Sequence, residues 1–173
     1  MEEWKILRDL RLEALKKEPQ AFKGSYEEEK QLKESQWQER INNSCDRNSH
    51  EFFIIAKENS AVVGIVGARK KENSDWILKE VYVRENNRGQ GIGTQLLEAM
   101  MWRLDHVHSA IKIELIVNTR QHAAVALYKK CGFIVAGVLE NQESGDGNFY
   151  TKFIMYRNTC AVKPIHSLVR NFV

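Results

Sequence analysis

Apolar residues recur along this chain with two periods, and the change from one to the other separates a helical beginning from a run of strands. From Trp4 to Lys17, Ile6, Leu7, Leu10 and Ala14 share one face at helical spacing, and Glu18-Pro19 ends the run. A second, strongly charged helix is predicted from Tyr26 to Ile41, anchored by Leu32, Trp37 and Ile41. The period then shortens. Glu51 to Lys57, Ala61 to Lys70 and Trp76 to Arg84 are rich in Val, Ile and Phe and are joined by ENS and KENSD turns, the pattern of an antiparallel meander. Beyond it the spacing predicts a helix from Gly91 to His106, a strand from Ala110 to Val117 and a helix from Gln121 to Lys130. A strand from Phe133 to Leu139, a polar loop NQESGDGN and a strand from Phe149 to Tyr156 complete the order. A strand-helix-strand crossover after a meander implies a mixed sheet in an α/β chain.

Composition narrows the class. The 173 residues are 43% hydrophobic, with two prolines and no low-complexity tract, so residues 1–173 are expected to form a single domain. The net charge of +3 is spread among Asp and Glu, which does not imply nucleic acid. No apolar run approaches the roughly 20 residues that span a bilayer, and EEWKILRDL is too charged for a secretory segment, so a cytoplasmic protein is expected. Cys45, Cys131 and Cys160 read as reduced thiols, Cys131 as a core filler. His106 and His108 lack a third ligand and read as a polar loop; His122 reads as the solvent edge of a helix, and no metal site is expected.

The chemistry concentrates in VYVRENNRGQGIG, Val81 to Gly93, where a strand meets an arginine, three glycines and a helix. Glycines at 89, 91 and 93 let the backbone amides converge on one point, to which the helix start adds partial positive charge. Such a turn binds anions, and Arg88 at its edge favours a phosphate ligand, diphosphate above carboxylate. A nucleotide-hydrolysing P-loop is excluded, because Thr94 follows Gly93 with no lysine between them. The dinucleotide fingerprint is weakly met, since position 94 is Thr and the following strand ends at Asn118, with its acid, Glu114, in mid-strand.

Arg88, Gly91 and Gly93 also match the coenzyme A loop of the GNAT superfamily of acyl-CoA-dependent N-acyltransferases, and a second block, AAVALYKKCGF from Ala123 to Phe133, resembles that family's other signature. The blocks occur in the family's order, and LRDLRLEALKKEPQAFKGSYEEE is similar to the first helices of its small bacterial members, so the likeness runs from about Trp4 to Arg157. The resemblance implies a mostly antiparallel mixed sheet with a central, splayed parallel strand pair flanked by helices. It implies acetyl-CoA as cosubstrate and a primary amine of a small molecule, amino acid or peptide as acceptor, with no metal. A non-catalytic acyl-CoA sensor of the same fold is the alternative. The family's short first strand is missing before Trp4, and the tail over 158–173 is a candidate to cover a sheet edge; a homodimer is expected.

In the pose that the resemblance implies, diphosphate sits on Arg88, Gly89, Gln90, Gly91, Ile92, Gly93 and Thr94, and the pantetheine arm pairs with Val81, Tyr82 and Val83 as an extra strand. An amide near Val83 faces the thioester carbonyl. Gln121 stands where many members have an asparagine that contacts the arm. Tyr128 matches the tyrosine near the coenzyme sulfur and is the candidate proton donor; otherwise it is a helix-face tyrosine packed on the sheet. Glu80, on the coenzyme strand and expected on the same face as Tyr82, is the candidate base; its alternative is a charge paired with Lys79 or Arg84. Phe22, Tyr26, Trp37 and Tyr150 are candidate walls of the acceptor pocket. Thr151 and Lys152, where relatives carry acids, disfavour a polyamine.

Overall fold

The computed structural model describes residues 3–45, 50–71 and 75–159. Helix α1 (Glu3–Lys17) turns Trp4, Leu7, Leu10, Ala14 and Leu15 inward, as its period predicts, and stops ahead of a 3-10 turn at Pro19–Ala21. The charged segment that follows is not one helix. It breaks into α2 (Tyr26–Glu29) and α3 (Glu34–Cys45), with the Lys33 amide capped by the Gln36 side chain at 2.9 Å. The break has an electrostatic consequence. In one straight helix Glu29 and Arg40 would stand roughly 16 Å apart along the axis. The break brings the Arg40 Nη1 to 3.0 Å from the Glu29 carboxylate.

Strands β1 (Glu51–Glu58), β2 (Ala61–Lys70) and β3 (Trp76–Val83) form the expected meander. Helix α4 (Ile92–His106) crosses over to β4 (Lys112–Asn118), which lies parallel to β3. After α5 (His122–Lys130), β5 (Ile134–Glu143) takes the outer edge and β6 (Phe149–Asn158) inserts between it and β4. The six strands run β1-β2-β3-β4-β6-β5, antiparallel except for the central pair. Both final strands are longer than their apolar runs: β5 continues across a bulge to Gln142 opposite Tyr150 and Glu143 opposite Phe149, and β6 runs on to Arg157 opposite Ile113 and Asn158 opposite Lys112 of β4.

Two cores cover the two faces. Leu96, Leu97, Met100 and Leu104 of α4 pack on Phe52, Val66, Trp76, Leu78 and Leu115; α1 and Trp37 of α3 pack on Ile65 and Tyr82. Strand β3 contributes to both cores because a bulge inverts its alternation: Gly67 opposes Lys79 and Ile65 opposes Tyr82, with Glu80 at φ 58° in the extra position. Hence Trp76 and Leu78 face α4, whereas Tyr82 faces α1. Cys131 is half-buried and unpaired, against the α4 core. His108 is not in a polar loop: it stacks on Phe52 with ring centroids 4.9 Å apart, and burial, reinforced by Arg103 and Lys70, lowers its pKa. His106 is exposed and stacks on Trp102. Of the tail over 158–173, Asn158 ends β6 and the Thr159 amide donates to the Ile111 carbonyl at 3.1 Å, whereas residues 160–173, with Cys160, and the Cys45 side chain fall outside the described residues.

Candidate active site

The parallel pair at the centre of the sheet is short. Its register covers only Trp76 opposite Ile113 and Ile77 opposite Glu114, after which β3 and β4 diverge. The wedge between them opens into a cleft of about 800 Å³. Lys79, Glu80 and Val81 of β3 form one side, Leu115, Ile116 and Val117 of β4 the other, and Gln121, Ala124 and Tyr128 of α5 close one end. Phe22, Lys23, Arg11 and Glu29 stand at the opposite end, under the β5–β6 hairpin. Strand edges left unpaired here present backbone groups to whatever fills the wedge.

The glycine loop lies just beyond β3. A 3-10 turn at Glu85–Asn87 leads to Gly89 and Gly91, at φ 76° and 83°, and Gly91 is the N-terminal cap of α4. The left-handed conformation turns consecutive amides to one side, which a side chain at either position would strain. Among the described residues the amides of Gly89, Gln90, Gly91, Ile92, Gly93 and Thr94 donate to no backbone acceptor. Gly93 has a different role, since a Cβ there would meet Leu127 of α5 at 3.1 Å. Arg88 is partly spoken for: its Nε donates to the Val83 carbonyl at 2.9 Å and its Nη1 to Glu18 at 2.8 Å. Thr94 opens on a separate hollow of about 380 Å³ between α4 and the end of α5.

Tyr128 is 7% exposed, packs edge-on against Phe133 at 6.1 Å and faces the cleft from α5. Burial, then the neighbouring Cys131, pushes its pKa well above the ordinary phenol value, which favours the protonated hydroxyl. Glu80 also lines the cleft, 3.5 Å from the Lys79 ammonium, which binds Glu51 at 2.7 Å as well. Its left-handed backbone in mid-strand is a strained conformation of the kind that accumulates at functional sites.

A buried ion cluster lines the cleft beside Phe22 and Lys23. Glu29 accepts from Arg11 at 2.7 Å and from Arg40 at 3.0 Å, and both members of the Arg11–Glu29 pair have side chains about one-tenth exposed. Burial alone would raise the Glu29 carboxyl; the two guanidinium groups outweigh it and hold it below the usual carboxylate range. The charge of Glu80 also acts on Arg11, linking the cluster to β3. The signal for this cluster was in the sequence: Arg11 falls on the apolar face of α1, four residues after Leu7.

Of the other residues singled out from the sequence, Phe22 and Gln121 line the cleft. Tyr26 stands outside the cleft, near the ammonium groups of Lys16 and Lys30, and Tyr150 donates to Asp146 at 2.6 Å beside Arg120. Trp37 is core. The Tyr82 ring points to α1, where its hydroxyl donates to Glu13 at 3.1 Å; burial and then Glu13 push its pKa up to about 12. His122 is exposed at the start of α5. The described residues contain no group of three or more metal-ligating side chains.

Splayed strands, an amide-rich glycine cap and a tyrosine lining the wedge are the arrangement that the family resemblance implies, and comparison with known proteins tests the family itself. The profile of the Acetyltransferase (GNAT) family matches residues 10–133. The chain belongs to that family. Among curated proteins it is 31% identical over 100 residues to an N-alpha-acetyltransferase of Sulfurisphaera tokodaii, over 51% of this chain and 60% of that one. It is 30% identical over 108 residues to YqkA of Bacillus subtilis, over 62% of this chain but 29% of that protein. The chain therefore spans well under two thirds of the length of these relatives. Among solved structures, the ribosomal-protein-alanine N-acetyltransferase of Brucella melitensis superposes with a TM-score of 0.71 at 21% identity, covering 90% of this chain and 94% of that one, and shows the shared fold.

Proposed function

We propose that the chain is an N-acetyltransferase that moves an acetyl group from acetyl-CoA to a primary amine of a small molecule, amino acid or peptide, by direct attack in a ternary complex. The observation that carries this reading is the continuity of the diverging β3–β4 pair with a cleft lined by both a carboxylate, Glu80, and a buried phenol, Tyr128. The loop fits the coenzyme, because among the described residues the amides from Gly89 to Thr94 have no backbone acceptor. Acetyl-CoA supplies the activated acyl group. The loop amides hold its diphosphate, the unpaired edge of Val81 to Val83 and Gln121 hold its arm, and a β3 amide polarises the thioester carbonyl. Glu80 accepts the amine proton, directly or through water, and Tyr128 donates to the departing sulfur.

The direct test is a screen of amine acceptors with detection of released coenzyme A thiol. Release that depends on both acetyl-CoA and an amine is the expected result. Binding of acetyl-CoA without turnover of any amine would support an acyl-CoA sensor instead, and absence of binding would remove both readings. The loop has its own test. Gly91→Ala places a side chain at positive φ, a cost of roughly 1–2 kcal/mol, and should weaken coenzyme A binding about tenfold by calorimetry. No described helix is long and apolar enough to cross a membrane. A cytoplasmic homodimer is the proposed working form, and light scattering of the purified chain tests its assembly.

A further inference from the structure

The roof of the cleft is a hairpin held tightly to the loop that follows α1. Gly145 donates its amide to the Phe22 carbonyl at 2.8 Å, and a Cβ on Gly145 would lie 2.1 Å from the Gly24 carbonyl oxygen. Only a glycine permits this approach. The contact fixes Lys23 of the loop and Lys152 of β6 on the walls of the same cleft. Lys152 is 8% exposed, and its ammonium donates to the Glu143 backbone carbonyl at 3.1 Å. Among the described residues it has no carboxylate partner. Asp146 acts on it only from a distance, because that carboxylate is bound by the Tyr150 hydroxyl at 2.6 Å and the Asn148 amide at 3.0 Å.

An ammonium has three donors, and one carbonyl leaves the others without a partner among the described residues. Burial lowers the pKa of Lys152; Asp146 opposes that effect and Lys23 adds to it. A cation held in this way gains from an incoming anion more than a solvated lysine does, because its desolvation has already occurred. The other buried or half-buried cations of the cleft are already matched: Arg11 and Arg40 to Glu29, Lys79 to Glu51 and Glu80.

We propose that Lys152, with Lys23 beside it, determines acceptor specificity by binding an anionic oxygen group, carboxylate or phosphate, carried by the amine that is acetylated. The inference rests on the acetyltransferase reading and deepens it: the acceptor is an amine with its own negative charge, and a polyamine meets two lysines where it would need acids. No covalent step is involved.

The test is calorimetric titration of the full chain, with coenzyme A present, using matched probes: tyrosine against tyramine for a carboxylate, O-phosphoethanolamine against ethanolamine for a phosphate. The anionic member of at least one pair should bind about tenfold tighter or better, and the pair that responds identifies the group. Lys152→Met should abolish the preference and Lys152→Arg should retain it. In steady-state assays the methionine variant should raise KM for the anionic acceptor far more than it lowers kcat. Lys152→Gln serves the same comparison if the methionine variant does not fold. Equal affinities within both pairs, a preference that survives loss of the ammonium, or no binding of either anionic probe to protein that binds coenzyme A would overturn the proposal. Failure to bind coenzyme A at all would instead overturn the acetyltransferase reading beneath it.

Discussion

Glu29→Ala is expected to destabilise the protein by about 3–5 kcal/mol, a large part of the roughly 5–15 kcal/mol that holds a typical domain folded. The reason is what the substitution leaves behind. Arg11 stays charged in a site where its side chain is 10% exposed, with its hydrogen-bond partner gone and Arg40 losing the same carboxylate. At roughly 2–4 °C per kcal/mol for a chain of this size, the thermal midpoint should fall by about 6–20 °C. Removing both charges should cost much less, so Arg11→Met with Glu29→Leu should recover most of the loss; a double variant as unstable as the single one would show that the charges are not the cause. Acid gives a second readout. The folded-state pKa of Glu29 is depressed, so its stabilisation is complete above the unfolded value of about 4.3 and is lost as pH falls through the lower folded value. The stability gap between wild type and Glu29→Gln should therefore be full at neutral pH and shrink in acid below that range.

The cluster also marks the boundary of what the sequence discloses. Helix and strand periods are local, and so is the chemistry of a glycine that must sit at positive φ; α1, the meander, α4 and the loop from Arg88 to Gly93 were accordingly legible before any coordinates. The break between α2 and α3 was not, and neither was the cluster it permits, in which Arg11 and Arg40 share a carboxylate 18 and 11 residues away along the chain. The bulge at Glu80 was hidden for a similar reason. Nothing in WILKEVYV signals the extra residue, which is defined only by the pairing of β3 with β2. Yet the bulge decides the site, because it lets Tyr82 serve the α1 core while Glu80 and Val81 line the wedge. Tyr26 and Tyr150 illustrate the converse: aromatic residues in suitable segments whose partners, Lys16 and Lys30 for one and Asp146 for the other, lie outside the cleft lining. Lys152 was visible as a lysine in the last strand, but its burial, and its lack of a carboxylate partner among the described residues, appear only when the hairpin docks on Phe22–Gly24.

Tyr128→Phe should lower kcat about a hundredfold while leaving the coenzyme A dissociation constant within about twofold, because in the proposed reaction the lost group acts on the departing sulfur and not on the bound ground state. The environment of the ring defines what kind of donor it is. A solvated phenol of pKa about 10 is already a weaker acid than a thiol of about 8.5, so full proton transfer to the thiolate is uphill by roughly 2 kcal/mol. Burial widens that gap by raising the phenol further. The favoured role is therefore a hydrogen bond to sulfur that strengthens as negative charge develops, with the proton finally taken up by the thiolate coming from the attacking amine by way of Glu80 or water. Two measurements separate this from a purely structural part for the ring. The phenylalanine variant keeps the edge-on contact with Phe133, so its melting temperature should match wild type. Its rate deficit should grow with the pKa of the leaving thiol across a series of acetyl thioesters, since a poorer leaving group depends more on the hydrogen bond. A deficit that is independent of the thiol, or a variant as fast as wild type, would remove the hydroxyl from the reaction and leave Tyr128 as a packing residue on α5.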